Sequence, residues 1–259
     1  MLAAFLLVLL TVFGLAIGSF MTVVAARVPA GESIVRPRSK CPSCGAEIRS
    51  RDNVPVLGWL LLHGRCRDCG SRIPVRYPLL ELSTAAVIVG SFLVYDDLWI
   101  AVAVAGLLAL MPVISVIDFE HRIIPNKIVY PALIAFPIYL VIAKLAGAPV
   151  DLVRMAIGFF AYGGALFVIA LISRGMGMGD VKLAALIGIV LGALSLGQVA
   201  VAAGAAIVLG GLGAILALLR GAGRRGAMPF GPFLAAGAIV AAFWGPQLAD
   251  WYSRTFLHV

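Results

Sequence analysis

The chain has 259 residues, 62% of them hydrophobic, with a mean hydropathy of +1.07 and only 12% charged. An ordinary soluble domain carries about 25% charged residues, so the composition excludes a soluble globular core and describes a protein that crosses a membrane several times. The formal net charge of +8 does not point to nucleic acid. Its basic residues concentrate in loops beside apolar runs, where the positive-inside rule places them.

A crossing helix takes about 20 mostly apolar residues. Eight segments are candidates: 2–26, 78–95, 98–117, 128–146, 152–173, 181–194, 197–219 and 231–249. The first reads as a retained transmembrane helix rather than a cleaved signal. No basic residue precedes its apolar run, and the run is longer than an ordinary signal core. The sixth segment is short and meets the seventh at Ser195-Leu196-Gly197-Gln198. Pro131 and Pro149, the glycine-rich 175–179 and the stretch from Gly221 to Pro232 punctuate the breaks. The expected fold is therefore an all-α polytopic membrane protein of about eight transmembrane helices. It divides into a first helix at 1–26, a soluble loop at 27–77 and a seven-helix membrane domain at 78–259. Gly14-Leu-Ala-Ile-Gly18 and Gly188-Ile-Val-Leu-Gly192 have the spacing for close helix packing.

Orientation follows from lysine and arginine. With the 27–77 loop in the cytoplasm, all of the 20 basic residues except Lys144, Arg154 and Arg254 fall on the cytoplasmic side. Both termini are then outside. Asp118 and Asp180 both lie at the cytoplasmic face, at one membrane depth.

All four cysteines are in the loop, as Cys41-Pro-Ser-Cys44 and Cys66-Arg-Asp-Cys69. Two C-x2-C knuckles supply four thiolates, the set for tetrahedral Zn2+. The alternative is a pair of disulfides, which a reducing cytoplasm disfavours. Four thiolates leave no open coordination position, so the expected zinc is structural. The many arginines of the loop follow from topology, and they also suit anionic lipid headgroups or an acidic partner.

Most of the 12 acidic residues read as solvated loop or helix-end groups. Asp118 closes the apolar run LLALMPVISVID, and Asp180 closes GMGMGD. An acid at a membrane boundary is costly unless it has a function. Gly177 and Gly179 permit close backbone approach and unusual dihedrals before Asp180. The bland alternatives are an N-cap at Asp180 and a helix-ending acid at Asp118. As a pair they point to one reaction class. Two carboxylates in contact share a proton, one acting as base on water and the other as acid toward the substrate. Such a pair titrates as a unit. A nucleophilic triad has little support, because His121, the one histidine near these acids, has no serine or cysteine beside it.

Taken together these residues resemble the bacterial type IV prepilin leader peptidases, membrane aspartic proteases with a Gly-x-Gly-Asp motif. That motif is here Gly177-Met178-Gly179-Asp180, within GMGMGDVKLAALIG. The first family aspartate corresponds to Asp118 in IDFEHRIIPNKI, which also contains Pro125. The similarity continues in GSFMTVVAARVPAGES at 18–33, DNVPVLGWLLLHGRCRDCG, RYPLLEL and MPFGPFLAAGA. The order is the family's and nearly the whole chain is covered. Thr22 departs from the asparagine that many members have.

The resemblance implies that 78–259 is the peptidase domain, with Asp118 and Asp180 catalytic and Gly177, Gly179 and Pro125 supporting their loops. It implies cleavage of the basic leader of prepilins and of type II secretion pseudopilins on the cytoplasmic side of a bacterial inner membrane. The cut falls after a glycine, usually before phenylalanine. Many members then N-methylate the new terminus with S-adenosylmethionine, an activity associated with the cysteine-bearing module. The chain has no G-x-G-x-x-G after a strand, so methylation rests on the resemblance, with Glu32 in the PAGES segment marking its expected neighbourhood. The expected partners are pilin-type substrates and the lipid bilayer, with no nucleic acid. The competing class is a transporter or assembly scaffold with a zinc-stabilised loop. Paired acids suit a proton relay too, but a transporter predicts mid-bilayer acids and internal repeats.

Overall fold

The computed structural model describes residues 1–173, 176–220 and 228–257. The expected breaks at 175–179 and from Gly221 to Pro232 therefore lie partly outside the described residues. The fold is helical; among the described residues there is no strand, only two isolated β-bridges in the cysteine loop. The chain forms two compact units, Met1–Val89 and Gly90–Val259.

The first unit holds α1 (Leu2–Arg27), a 3-10 turn (Ser50–Asp52), the short α2 (Leu57–Leu61) and most of α3 (Arg76–Val94). Glycine spacing sets its packing. A Cβ on Gly14 would come within 2.8 Å of Ala85 Cα, and one on Gly18 within 2.6 Å of Glu81 Cα. The backbones of α1 and α3 therefore approach as closely as small residues allow. Elsewhere α1 leaves Phe5, Val8, Val12 and Phe13 exposed, the apolar surface a lipid-facing helix presents.

The second unit holds the end of α3, then α4 (Leu98–His121), α5 (Asn126–Leu145), α6 (Leu152–Gly158), α7 (Gly164–Ser173), α8 (Met178–Leu194), α9 (Leu196–Leu219) and α10 (Gly231–Tyr252). A π-helical segment, Phe159–Gly163, joins α6 to α7 into one span of 22 residues. Side-chain caps open three of these helices, with Ser195 accepting from Gly197 N–H at α9. Asp97 accepts from Ile100 N–H at α4, and Asp151 accepts from Val153 and Arg154 N–H at α6.

All eight expected apolar segments are helical. Among the described residues, seven helices are long and apolar enough to cross a membrane. The remaining one, α8, has 17 residues, and 13 of them are buried. It packs against α4, α5, α6, α7, α9 and α10. A helix that is apolar on every side belongs in a core, and α8 is the axis of this unit. Gly158 of α6 meets Gly188 of α8 backbone to backbone, and Gly192 lies against Arg154 O and Gly158 Cα. One expected break is displaced: Pro131 stands inside α5, as do Pro137 in the same helix, Pro112 in α4 and Pro246 in α10. Spanning helices tolerate proline because neighbouring groups satisfy the freed backbone.

Candidate functional site

Asp118 lies in the last turn of α4, which runs on to His121, and is 5% exposed. Asp180 lies in the first turn of α8 and is 9% exposed. The two helices pack together, and the two carboxyl groups are near enough to act on one another electrostatically. Glu120 and His121, one turn away from Asp118, are exposed.

Each acid has one oxygen held by a backbone amide. Gly231 N–H, at the start of α10, donates to Asp118 Oδ2 over 2.9 Å. Gly177 N–H donates to Asp180 Oδ2 over 3.2 Å, and Asp180 N–H returns a bond to Gly177 O at 3.1 Å. Helix α8 thus starts three residues earlier than Val181. Asp180 is not its N-cap; Gly177 is, and the Asp180 carboxylate reaches back to satisfy an otherwise orphan N–H. A helix N-terminus favours negative charge, and here α8 and α10 each point their first turn at one acid.

The glycines act through space rather than through unusual dihedrals. Gly177 has φ −75, open to any residue. A Cβ on Gly179 would meet Ile124 Cβ at 2.9 Å. The stretch before Asp180 therefore packs on the turn that follows Asp118. Arg122 caps α4 in the left-handed region (φ 56), and its N–H bonds Asp118 O at 2.8 Å. Pro125 is buried at the N-cap of α5. Lys182 joins the two loops: its Nζ donates to Asn126 Oδ1 over 2.6 Å and stands 4.8 Å from the centre of the Tyr130 ring.

In the other unit, the four cysteines converge. Their sulfurs lie within 4.8 Å of one another, with Cys41 and Cys69 3.9 Å apart, and none forms a disulfide. Tetrahedral zinc with bonds of about 2.3 Å needs sulfurs about 3.8 Å apart, so the set fits and could hold a metal ion. The two knuckles are copies of one turn. Cys41 N–H bonds Ala46 O and Gly45 N–H bonds Cys41 O; Cys66 N–H bonds Ser71 O and Gly70 N–H bonds Cys66 O. Gly45 and Gly70 take φ +74 and +70, a conformation that favours glycine. The bridges Lys40–Glu47 and Arg65–Arg72 flank them in matching positions. Backbone N–H groups of Cys44 and Ser43 pull the Cys41 thiol down to about 6, ready to ligate as thiolate. Arg67 pairs with Asp52 through bonds of 2.8 and 2.6 Å, which holds the Asp52 carboxyl below its ordinary value. Glu32 is exposed just past α1, its N–H bonded to Arg27 O.

Three site elements are not evident in the residue pattern alone. Gly231 acts through its backbone, 113 positions from Asp118. Lys182 is drawn to Asn126 rather than outward. Glu81, an acid inside an apolar helix, is 8% exposed and accepts Val56 N–H at 2.7 Å; its apolar surroundings were the available signal.

Comparison with known proteins identifies the family. A family model described as Bacterial Peptidase A24 N-terminal domain matches residues 12–95, and one described as Type IV leader peptidase family matches residues 105–249. A prepilin leader peptidase/N-methyltransferase of Bacillus subtilis (strain 168) is 36% identical over 261 residues, covering 97% of this chain and 100% of the relative. A type 4 prepilin-like proteins leader peptide-processing enzyme of Escherichia coli O78:H11 is 37% identical, covering 91% and 93%. A prepilin leader peptidase/N-methyltransferase of Aeromonas hydrophila is 30% identical, covering 96% and 94%. No solved structure matches.

Proposed function

Because the chain belongs to the type IV leader peptidase family, we propose that it cleaves the basic leader from prepilins and from the pseudopilins of type II secretion, using Asp118 and Asp180 as a catalytic dyad. Membership of a peptidase family sets the transporter and scaffold readings aside. The observation that carries the dyad is the pair of buried carboxylates from α4 and α8, each oriented through one oxygen by a backbone N–H.

In this reading one carboxylate takes a proton from water as the water oxygen attacks the scissile carbonyl carbon. The other carboxyl gives a proton to the leaving nitrogen as the C–N bond breaks. The backbone anchors at Gly177 and Gly231 limit the rotation of both groups, which keeps them in register through the cycle. The Ile124–Gly179 contact and the Lys182–Asn126 bond hold the two loops together around them.

The basic loop and the apolar helices support an integral membrane protein with this site toward the cytoplasm and both termini outside. Such a site meets a substrate whose leader is cytoplasmic and whose following segment is in the membrane. The metal of the four-cysteine cluster is zinc in a closed, structural role. The second activity is transfer of a methyl group from S-adenosylmethionine to the new N-terminus, in the N-terminal half that contains the cysteines and Glu32.

Mass spectrometry of a prepilin incubated with purified enzyme, with and without S-adenosylmethionine, tests both halves. The expected products are a mature chain cut after glycine, 14 Da heavier (one CH2) only when the donor is present. An uncut prepilin under conditions where the enzyme is folded rejects the peptidase reading.

A further inference from the structure

The first unit encloses a cavity of about 240 Å³ that proteolysis at the two aspartates does not use. Three separated stretches wall it. They are the last turns of α1 with Ser19 and Thr22, the metal loop with Asp52, Val56 and Trp59, and the start of α3 with Tyr77 and Glu81. These lie within the N-terminal motifs GSFMTVVAARVPAGES, DNVPVLGWLLLHGRCRDCG and RYPLLEL, so the stretches that carry the family resemblance in this half converge on one cavity. Glu32 is not among the lining residues, whereas Arg27 is.

The wall is built rather than incidental. Glu81 is a carboxylate 8% exposed within an apolar helix, and burying a charge is costly unless it is bonded. Its Oε2 accepts the N–H of Val56. Val56 is β-branched, yet it sits at φ 60, a strained conformation that persists only where the surroundings over-determine it and that clusters at ligand sites. The indole of Trp59 is fixed by its N–H to Ile73 O at 3.0 Å, and Gly64 leaves no room for a Cβ beside that ring. An enclosed, mostly apolar space with a few converging polar groups is the usual form of a small-molecule site.

We propose that this cavity holds the methyl donor, an adenosyl sulfonium such as S-adenosylmethionine, with Glu81 and Trp59 as its principal contacts. The proposal rests on the reading that this chain methylates as well as cleaves. The chemistry of the wall matches the two ends of such a molecule. Trp59 offers a flat apolar surface to a purine. A buried carboxylate suits either ribose hydroxyls or a permanent cation, and an aromatic ring also attracts a cation. The metal ligands Cys41 and Cys66 border the same space, so the cysteine cluster shapes the donor site without touching the chemistry. In the transfer, the amine lone pair forms the N–C bond as the C–S bond breaks. The C–S electron pair stays on sulfur, leaving a neutral thioether, and the nitrogen sheds one proton to water.

The test is titration calorimetry of the full-length enzyme in detergent with S-adenosylmethionine, without prepilin, together with photocrosslinking of the labelled donor. The wild type is expected to bind, with the label mapping to residues 52–82. Glu81→Gln is expected to weaken binding at least tenfold. Thr22→Phe fills the cavity from the α1 wall without disturbing the Glu81–Val56 bond and is expected to do the same. Both variants should still cut prepilin, which also reports that they fold. Unchanged donor binding in Thr22→Phe, a label mapping to the second unit, or no binding by a wild type that methylates overturns the proposal. Loss of prepilin cleavage in the wild type instead rejects the peptidase reading, so the two failures are distinguishable.

Discussion

The backbone N–H of Gly231 holds Asp118 Oδ2 at 2.9 Å, and a Cβ at Gly231 would lie 2.7 Å from that same oxygen. The position therefore requires an N–H and forbids a side chain. Gly231→Ala is expected to rotate the Asp118 carboxyl away. A hydrogen bond to a charged group is worth about 1.5–3 kcal/mol, so kcat for prepilin cleavage should fall roughly 10- to 100-fold with KM little changed. Steady-state kinetics on a purified prepilin would decide. A rise in KM at constant kcat would mean that the glycine serves binding instead.

Asp118→Asn and Asp180→Asn are each expected to abolish leader cleavage while the protein still inserts and keeps its fold. Asparagine preserves the shape and can still accept the Gly231 or Gly177 N–H, but it can neither take nor give the proton. Cleavage in vitro, compared with thermal unfolding of the same preparations, separates catalysis from stability. Full activity in either variant would remove the dyad.

Gly179→Ala is expected to displace Asp180, because the added Cβ meets Ile124 Cβ at 2.9 Å. Cleavage should fall strongly and recover in part in the double variant Gly179→Ala/Ile124→Gly, which removes the opposing atom. Absence of any rescue would show that the glycine serves something other than this contact.

The purified protein is expected to contain about one zinc per chain, lost in Cys44→Ser. Three thiolates leave the tetrahedron open, and the matched knuckles then lose their common anchor. Metal analysis by mass spectrometry, with thiol titration of the unfolded chain, measures this. A zinc-free chain carrying two disulfides would contradict it.

Asp52 has its folded carboxyl lowered by the Arg67 hydrogen bonds and charge, below an ordinary value of 3.8. A depressed acid stabilises the fold above its unfolded value, and that contribution is lost as pH falls through the folded value. The melting temperature of Asp52→Asn should therefore lie below that of the wild type from pH 5 to 8, and the two curves should converge below about pH 3.8. A gap that is constant with pH would mean that Asp52 acts through packing alone.

Much of this molecule is legible in its residue pattern, for identifiable reasons. Apolar runs of crossing length located the long apolar helices, because burial in lipid leaves a continuous signal, but not the five-residue α2 inside the loop. The C-x2-C-Gly pairs predicted the knuckles, since few local structures place two sulfurs and a left-handed glycine so closely. Asp118 and Asp180 stood out because an acid inside an apolar run is costly. What the pattern hid was carried by the backbone or by distance. Nothing in the composition of MPFGPF announces that its glycine N–H reaches an acid 113 residues away. The start of α8 was misplaced by three residues because Met178 and Gly179 look like loop but form its first turn. Pro131 read as a break, although the lipid phase permits it inside α5. Nothing around Lys182 in the sequence points to Asn126, 56 positions away, or to Tyr130, which lie close enough to capture it.

The brevity of α8 bears on how a hydrolase inside a membrane obtains its reagent. Seventeen residues rise about 26 Å, several ångströms less than a hydrocarbon layer of about 30 Å. This helix is enclosed by its neighbours, so the shortfall lies within the protein rather than against lipid tails. Asp180 stands at one end of that shortfall. A full-length helix there would carry hydrophobic thickness up to the headgroups and leave the acids dry. In the proposed reading, a truncated one lets water reach the acids without crossing a full hydrophobic thickness.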